Sequence, residues 1–175
     1  MRYPWYETVD GSELQQGDLL PRCPIVVPSP DLGFPLREGD VTADIVTFDV
    51  VVMSQSCDLA NDKVRDVIVC PHWDLEDAAS MDASFQRKSA AEEVRKGRRP
   101  RYLLLAASDL IDPPLGVRLV DFGRIFSLPK PFLAQLAAHA GKRLRLCPPY
   151  REYLAQAFAR FFMRVGLPQD VQLPR

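Results

Sequence analysis

Apolar and polar positions along the chain change rhythm several times, and each change predicts an element. The clearest segment is Ile45 to Ser54, IVTFDVVVMS, which is β-branched and aromatic. Its continuous VVVM run suits a strand buried on both faces. A turn-like QSCDLANDK follows, then a second strand, Val67-Ile68-Val69-Cys70, which Pro71 is expected to stop. Two strands this close in sequence favour antiparallel pairing. Upstream, Gly17-Asp18 reads as a turn before Leu19-Leu20 and Ile25-Val26-Val27. Pro21, Pro24, Pro28 and Pro30 allow an edge strand there but not a central one. Arg101 to Ala107 and Gly116 to Phe122 predict two further strands, and Lys142 to Cys147 (KRLRLC) alternates basic and apolar residues as a half-buried strand does.

Helical spacing occurs in three places. Residues 74–97 are alanine-rich with few β-branched side chains, which predicts one or two short helices inserted between strands, with Gly97 as the C-cap. Ser127 precedes a short helix from about Pro131 to Ala140, ended by Gly141. Pro148-Pro149 launch the strongest helix, Tyr150 to Val165. Tyr150, Leu154, Ala157, Phe158, Phe161, Phe162 and Val165 share one of its faces, with Arg160 and Arg164 opposite. The reading is one α+β domain over 1–175. An irregular arm (1–17) leads into barrel-like antiparallel strands (18–72 and 101–147), which are interrupted by a loop at 28–43 and the helical insert at 74–97. An amphipathic C-terminal helix (148–166) closes the domain.

Composition narrows this picture. The 175 residues are 47% hydrophobic and 26% charged, ordinary for a globular chain. Sixteen prolines against nine glycines argue for short strands and fixed turns over a long-helix bundle. No apolar leader or membrane-length stretch is visible, so a cytoplasmic protein with reduced thiols and no membrane partner is expected. Net charge is −1, but residues 1–80 hold 5 basic and 15 acidic side chains, while residues 81–175 hold 17 and 8. Such asymmetry fits either a polyanionic partner for the C-terminal half or two halves that complement each other within one fold.

Two groups of residues could carry chemistry. Ser54, Cys57 and Asp58 lie where the buried strand exits into a turn, and His72 follows the next strand. Cys57 could serve as nucleophile with His72 as base and Asp58 as orienter or proton acceptor. The plainer alternative is a turn in which Ser54, Ser56 and Asp58 bond nearby backbone and Cys57 packs inside. The hairpin order already places Cys57 and His72 towards opposite ends. Cys70 and His72, with Cys57, Cys23 or Cys147, lack the CxxC spacing of a metal centre, and no pattern points to a cofactor. The second group is basic. Arg95, Lys96, Arg98, Arg99 and Arg101 crowd one span beside Tyr102, and Arg143 and Arg145 form another near Tyr150. Arginines among aromatics suit phosphate contact and base stacking, so RNA or DNA are the expected partners.

Several segments together resemble the MazF/PemK-type toxins, which are small SH3-like barrels with a C-terminal helix. Gly17-Asp18-Leu19-Leu20 resembles their opening strand, and Asp49 to Ser54 their central strand. Val67 to Pro71 resembles the next strand, and Arg118 to Ile125 a late one. The resemblance implies a toxin–antitoxin-like barrel that contacts RNA. The family's catalytic arginine before the central strand and threonine after the proline are not matched, because the chain reads Ile45-Val46-Thr47-Phe48 and His72-Trp73 at those places. A relative that binds without cleaving is therefore expected. A non-catalytic protein-interaction or accessory subunit (as a homodimer or with another protein) and a Cys57-dependent hydrolase are the alternatives.

Overall fold

The computed structural model describes residues 3–33, 43–87 and 89–163. Eight strands and five α-helices follow the chain. They are β1 (Tyr6–Val9), β2 (Leu19–Pro28), β3 (Ala43–Val52), α1 (Ser56–Ala60), β4 (Asp66–Asp74), α2 (Ala78–Met81), α3 (Ala90–Arg95), β5 (Tyr102–Leu105), β6 (Arg118–Asp121), β7 (Phe126–Pro129), α4 (Lys130–Ala140), β8 (Arg143–Leu146) and α5 (Tyr150–Phe162). Short 3-10 turns at Leu75–Asp77 and Ala83–Gln86 complete the helical insert. The strands form a six-stranded sheet in the order β2-β3-β4-β6-β5, with β7 also on β4, and a separate β1-β8 pair. Every pairing is antiparallel. A single bridge, Asp18 to Arg145, joins the two sheets, so the hydrogen-bonded strands are not closed into the expected barrel.

Side-chain alternation gives the large sheet two apolar faces. Val51, Cys70, Val120, Leu103 and Leu105 point to one side, where β1, β8 and Leu154 of α5 cover them. Val50, Val52, Val67 and Val69 point to the other, beneath Leu133 and Ala137 of α4. The insert covers the rest of that side through Ala78 and Val94 against Tyr102 and Leu119. This double cover is why the VVVM run is uniformly apolar.

Three local expectations change. Residues 6–9 are not loose arm but a strand, because Tyr6 is buried and pairs with Leu146. Pro71 does not stop the second strand. Ile68 turns its N–H and C=O towards the β3 side, to Ser54 Oγ and Met53 N. Alternation then turns Pro71, three residues on, to the other side, where the partner changes from β7 (66–69) to β6 (72–74) and no donor is required. Ser127 lies within β7 and does not open a helix; α4 follows Pro129 directly. The Gly97 cap and the α5 helix occur as expected, with Gly97 at φ 69°. Arg164, Val165 and Gly166, and most of the 28–43 loop, lie outside the described residues. Gly17 is required twice over: its φ is 86°, and a Cβ there would meet Leu146 Cβ at 2.9 Å.

Candidate functional site

Register concentrates polar groups at one end of the face that α5 covers. Asp49 of β3 is opposite His72 of β4, which is opposite Val120 of β6; two residues on, Asp74 is opposite Arg118. Directly opposed residues, and residues two apart, share a face, so Asp49, His72, Asp74 and Arg118 converge. The Arg118 guanidinium ties them together. Its Nε donates to His72 Nδ1 at 2.9 Å, Nη1 to Asp74 Oδ2 at 2.6 Å and Nη2 to Asp49 Oδ2 at 2.6 Å. The arginine and the imidazole are buried, with Arg118 6% and His72 4% exposed.

The protonation state of His72 follows from this geometry. A guanidinium has only donors, so Nδ1 accepts and the ring proton sits on Nε2. Burial first, and the Arg118 charge second, push the imidazole down to about 3, so the ring is neutral at ordinary pH. Nε2 is buried without a hydrogen bond. The Val50 carbonyl acts on the ring and favours its protonation, but does not meet Nε2 in hydrogen-bond geometry.

Beside this cluster β2 carries an irregularity between Leu20 and Cys23, where Arg22 adopts φ 51°. A non-glycine residue in that region is strained, and bulges of this kind re-aim side chains next to sites. Here the bulge delivers the Arg22 N–H to Asp49 Oδ1 at 2.9 Å, which orients the carboxylate. A cavity of about 230 Å3 opens at the cluster. Asp49, His72 and Arg118 line it, together with β2, the Pro113–Leu115 loop, Lys142 and Leu144.

The residues expected to do chemistry are not gathered there. Met53 N bonds Ile68 O, whereas Asp49 opposes His72. The two ends of the hairpin are thus about 13 Å apart along the ladder. Cys57 lies beyond the first end, on exposed α1, and His72 at the second. The pair cannot act as nucleophile and base, and the Nδ1 lone pair is already taken. Ser54 Oγ accepts from Ile68 N and Ser56 Oγ from Gln16 N, 14 and 40 residues away, so both hydroxyls serve to tie distant backbone together and not to bond a local turn. Cys57 is not packed inside: its thiol is exposed, with Gln55 and Asp58 each 3.7 Å away. Cys70 is buried and its thiol pushed up to about 12. Among the described residues no group of three His, Cys, Asp or Glu side chains is arranged to hold a metal ion; Asp49, His72 and Asp74 converge on the Arg118 guanidinium instead.

Most of the basic residues are turned inward or paired. Arg143 and Arg145 are buried around Asp18, which is 0% exposed; Arg143 Nη2 meets Asp18 Oδ2 at 3.1 Å and Arg145 Nε bonds Asp18 Oδ1. Neither can reach a phosphate, which corrects the expectation that β8 is half-exposed. Arg101 grips Asp121 at 2.7 and 2.8 Å, and Arg95 and Lys96 share Glu92. Arg99 lies over Phe85 and Tyr102 and 3.5 Å from Asp82. Of the seven predicted contact residues, Arg98 alone is exposed with no carboxylate of the described residues on it. The charge asymmetry is in part an internal matter: Asp18, Asp49, Asp62 and Asp74 of the acidic half hold Arg143, Arg145, Arg118 and Lys130 of the basic half.

Asp49, Asp74 and Arg118 were not singled out from the sequence as site residues. A signal was present: charged side chains at inward positions of otherwise apolar strands, with Asp74 two residues from His72. Compared with known proteins, the chain matches no family model, no curated protein and no solved structure, so its likeness to MazF/PemK-type toxins rests on the short segments quoted above.

Proposed function

We propose that this protein is a non-catalytic binding domain, an interaction or accessory module, whose ligand enters the cleft at Asp49, His72 and Arg118. The observation that carries the reading is the Arg118 guanidinium, held by three side chains beside a cavity. A buried, pre-oriented donor set with strained backbone at its rim is costly unless it is used. The same geometry argues against proton transfer. The imidazole has no free lone pair, both carboxylates are bonded to the guanidinium, and among the described residues Cys57 has the Asp58 carboxylate 3.7 Å away but no imidazole beside it. Contact with nucleic acid through the basic C-terminal half is less favoured, because six of the seven residues expected to make it are bound to or lie against the chain's own carboxylates. The aromatic face of α5 is less favoured because Phe158 and Phe161 pack on the sheet, which leaves only its Phe162 end, 58% exposed, open to a partner.

The test is a fragment screen by saturation-transfer NMR against the wild type and the Asp49→Asn and Leu115→Ala proteins. Hits that are lost in both variants support the cleft. A hit set unchanged by both would sink the reading.

A further inference from the structure

Accepting the cleft as a binding site, we infer that it takes an extended segment of a partner protein, anchored by one aliphatic side chain, with the flanking peptide group read by Asp49 and Arg118. The apolar walls are Leu19, Leu20, Pro21, Pro113, Leu115 and Leu144; among the described residues the one aromatic ring in the lining is the His72 imidazole, which is 4% exposed and bonded to Arg118. Single-stranded nucleic acid is held by stacking its bases on open aromatic or guanidinium faces, and His72 and Arg118 are both buried, so these walls offer little of such a platform. They suit a branched aliphatic side chain. The volume, about 230 Å3, falls below the ~300 Å3 at which drug-sized ligand pockets begin, so it matches a side chain with its amide and not a nucleotide.

Charge gives an anion no unpaired cation to meet. Of the cations that line the cavity, Arg118 is bonded to Asp49 and Asp74, each 2.6 Å from the guanidinium, Arg143 to Asp18 and Lys142 to Asp112. A neutral group is the better fit. Arg118 uses one N–H on each of Nε, Nη1 and Nη2, which leaves two of its five donors. Asp49 accepts one bond on each oxygen and retains acceptor capacity, with its side chain 35% exposed. A donor beside an acceptor matches the C=O and N–H of a peptide backbone. Both groups are fixed beforehand, Asp49 by the Arg22 N–H and Arg118 by His72, so little ordering is needed on binding. The edge position of β2 leaves room for an extended chain to continue past the cavity.

The probe is N-acetyl-leucine N-methylamide, titrated into the full chain with backbone amide NMR as readout, beside N-acetyl-alanine N-methylamide and adenosine monophosphate. A blocked residue of this size should bind with a dissociation constant on the order of 1 mM, so titration to about 20 mM is decisive. The leucine probe should shift the amides of Leu20, Asp49 and Leu115 saturably. The alanine probe should bind about tenfold more weakly, for want of the buried side chain. Asp49→Asn should weaken the leucine probe, and Leu115→Ala should do so without touching the polar pair. If adenosine monophosphate shifts the cleft amides and the leucine probe does not, the peptide inference falls and the binding cleft stands. If neither probe nor any screened fragment moves those amides, both fall.

Discussion

Acidification should destabilise this protein through His72 in a pH window that opens above those of its perturbed carboxylates Asp82 and Glu92. In the folded chain the imidazole is held at about 3, against 6.5 for a free side chain, first by burial and then by Arg118. The unfolded chain takes up a proton below pH 6.5 and the folded chain does not, so the contribution of the neutral ring is complete above 6.5 and is lost as pH falls towards 3. At about pH 4.5 the loss covers two units at ~1.4 kcal/mol each, close to 3 kcal/mol. With a urea slope of ~2 kcal/mol/M, the unfolding midpoint should move by more than about 1 M. The clearest perturbed carboxylates act lower: the Tyr102 hydroxyl bond takes Asp82 down from 3.8 to about 2, and Arg95 takes Glu92 down from 4.5 to about 2. Urea unfolding at about pH 7, 5.5 and 4.5 is the assay. His72→Asn offers an acceptor to Arg118 but cannot titrate, so its curve should be nearly flat across this window. His139→Gln, which changes the exposed second histidine, should keep the wild-type slope. Parallel pH slopes for wild type and His72→Asn would refute the argument.

Three further outcomes follow from the buried charges and thiols. Asp18→Asn leaves two buried guanidiniums, Arg143 and Arg145, without their counter-charge and should cost about 3–5 kcal/mol in urea unfolding. A loss under 1 kcal/mol would mean that the triad does not hold β8 to the turn at Gly17. Arg118→Met removes the donor to His72 and the partner of two half-exposed carboxylates, and should cost about 2–4 kcal/mol by the same assay. A chromogenic disulfide reagent should find one fast thiol in the native protein, Cys57, and four in denaturant. Cys23 and Cys70 are buried, their thiols pushed up to about 11 and about 12, and Cys147 is half-buried with its thiol pushed up first by burial and then by Glu7; a Cys57→Ser protein that still shows a fast thiol would contradict this.

Periodicity and punctuation made much of the fold legible. The apolar run of β3, the proline-broken edge of β2, the insert ending at Gly97 and the aromatic stripe of α5 are local patterns, and their structures follow from local rules. Residues 6–9 and 126–129 were missed because four-residue strands carry too few positions for a period to emerge; partners far along the chain define them, β8 for the first and β4 for the second. Pro71 misled because whether a proline can sit in a central strand depends on which neighbour its nitrogen faces. The site divided in the same way. His72 stood out by residue type, whereas Asp49, Asp74 and Arg118 become a site only when three strands bring them within hydrogen-bond reach.

By itself the chain dictated the longer elements, the mixed class and the apolar faces, because these depend on neighbours within a few residues. Tertiary structure alone decided where the charges go. An arginine in KRLRLC is chemically the same whether it faces water or a carboxylate, and Coulomb energy depends on distances that sequence spacing does not contain. Asp18 lies 125 and 127 residues from the arginines that surround it, so only folding could show that buried charges of the basic half are held by carboxylates of the acidic half.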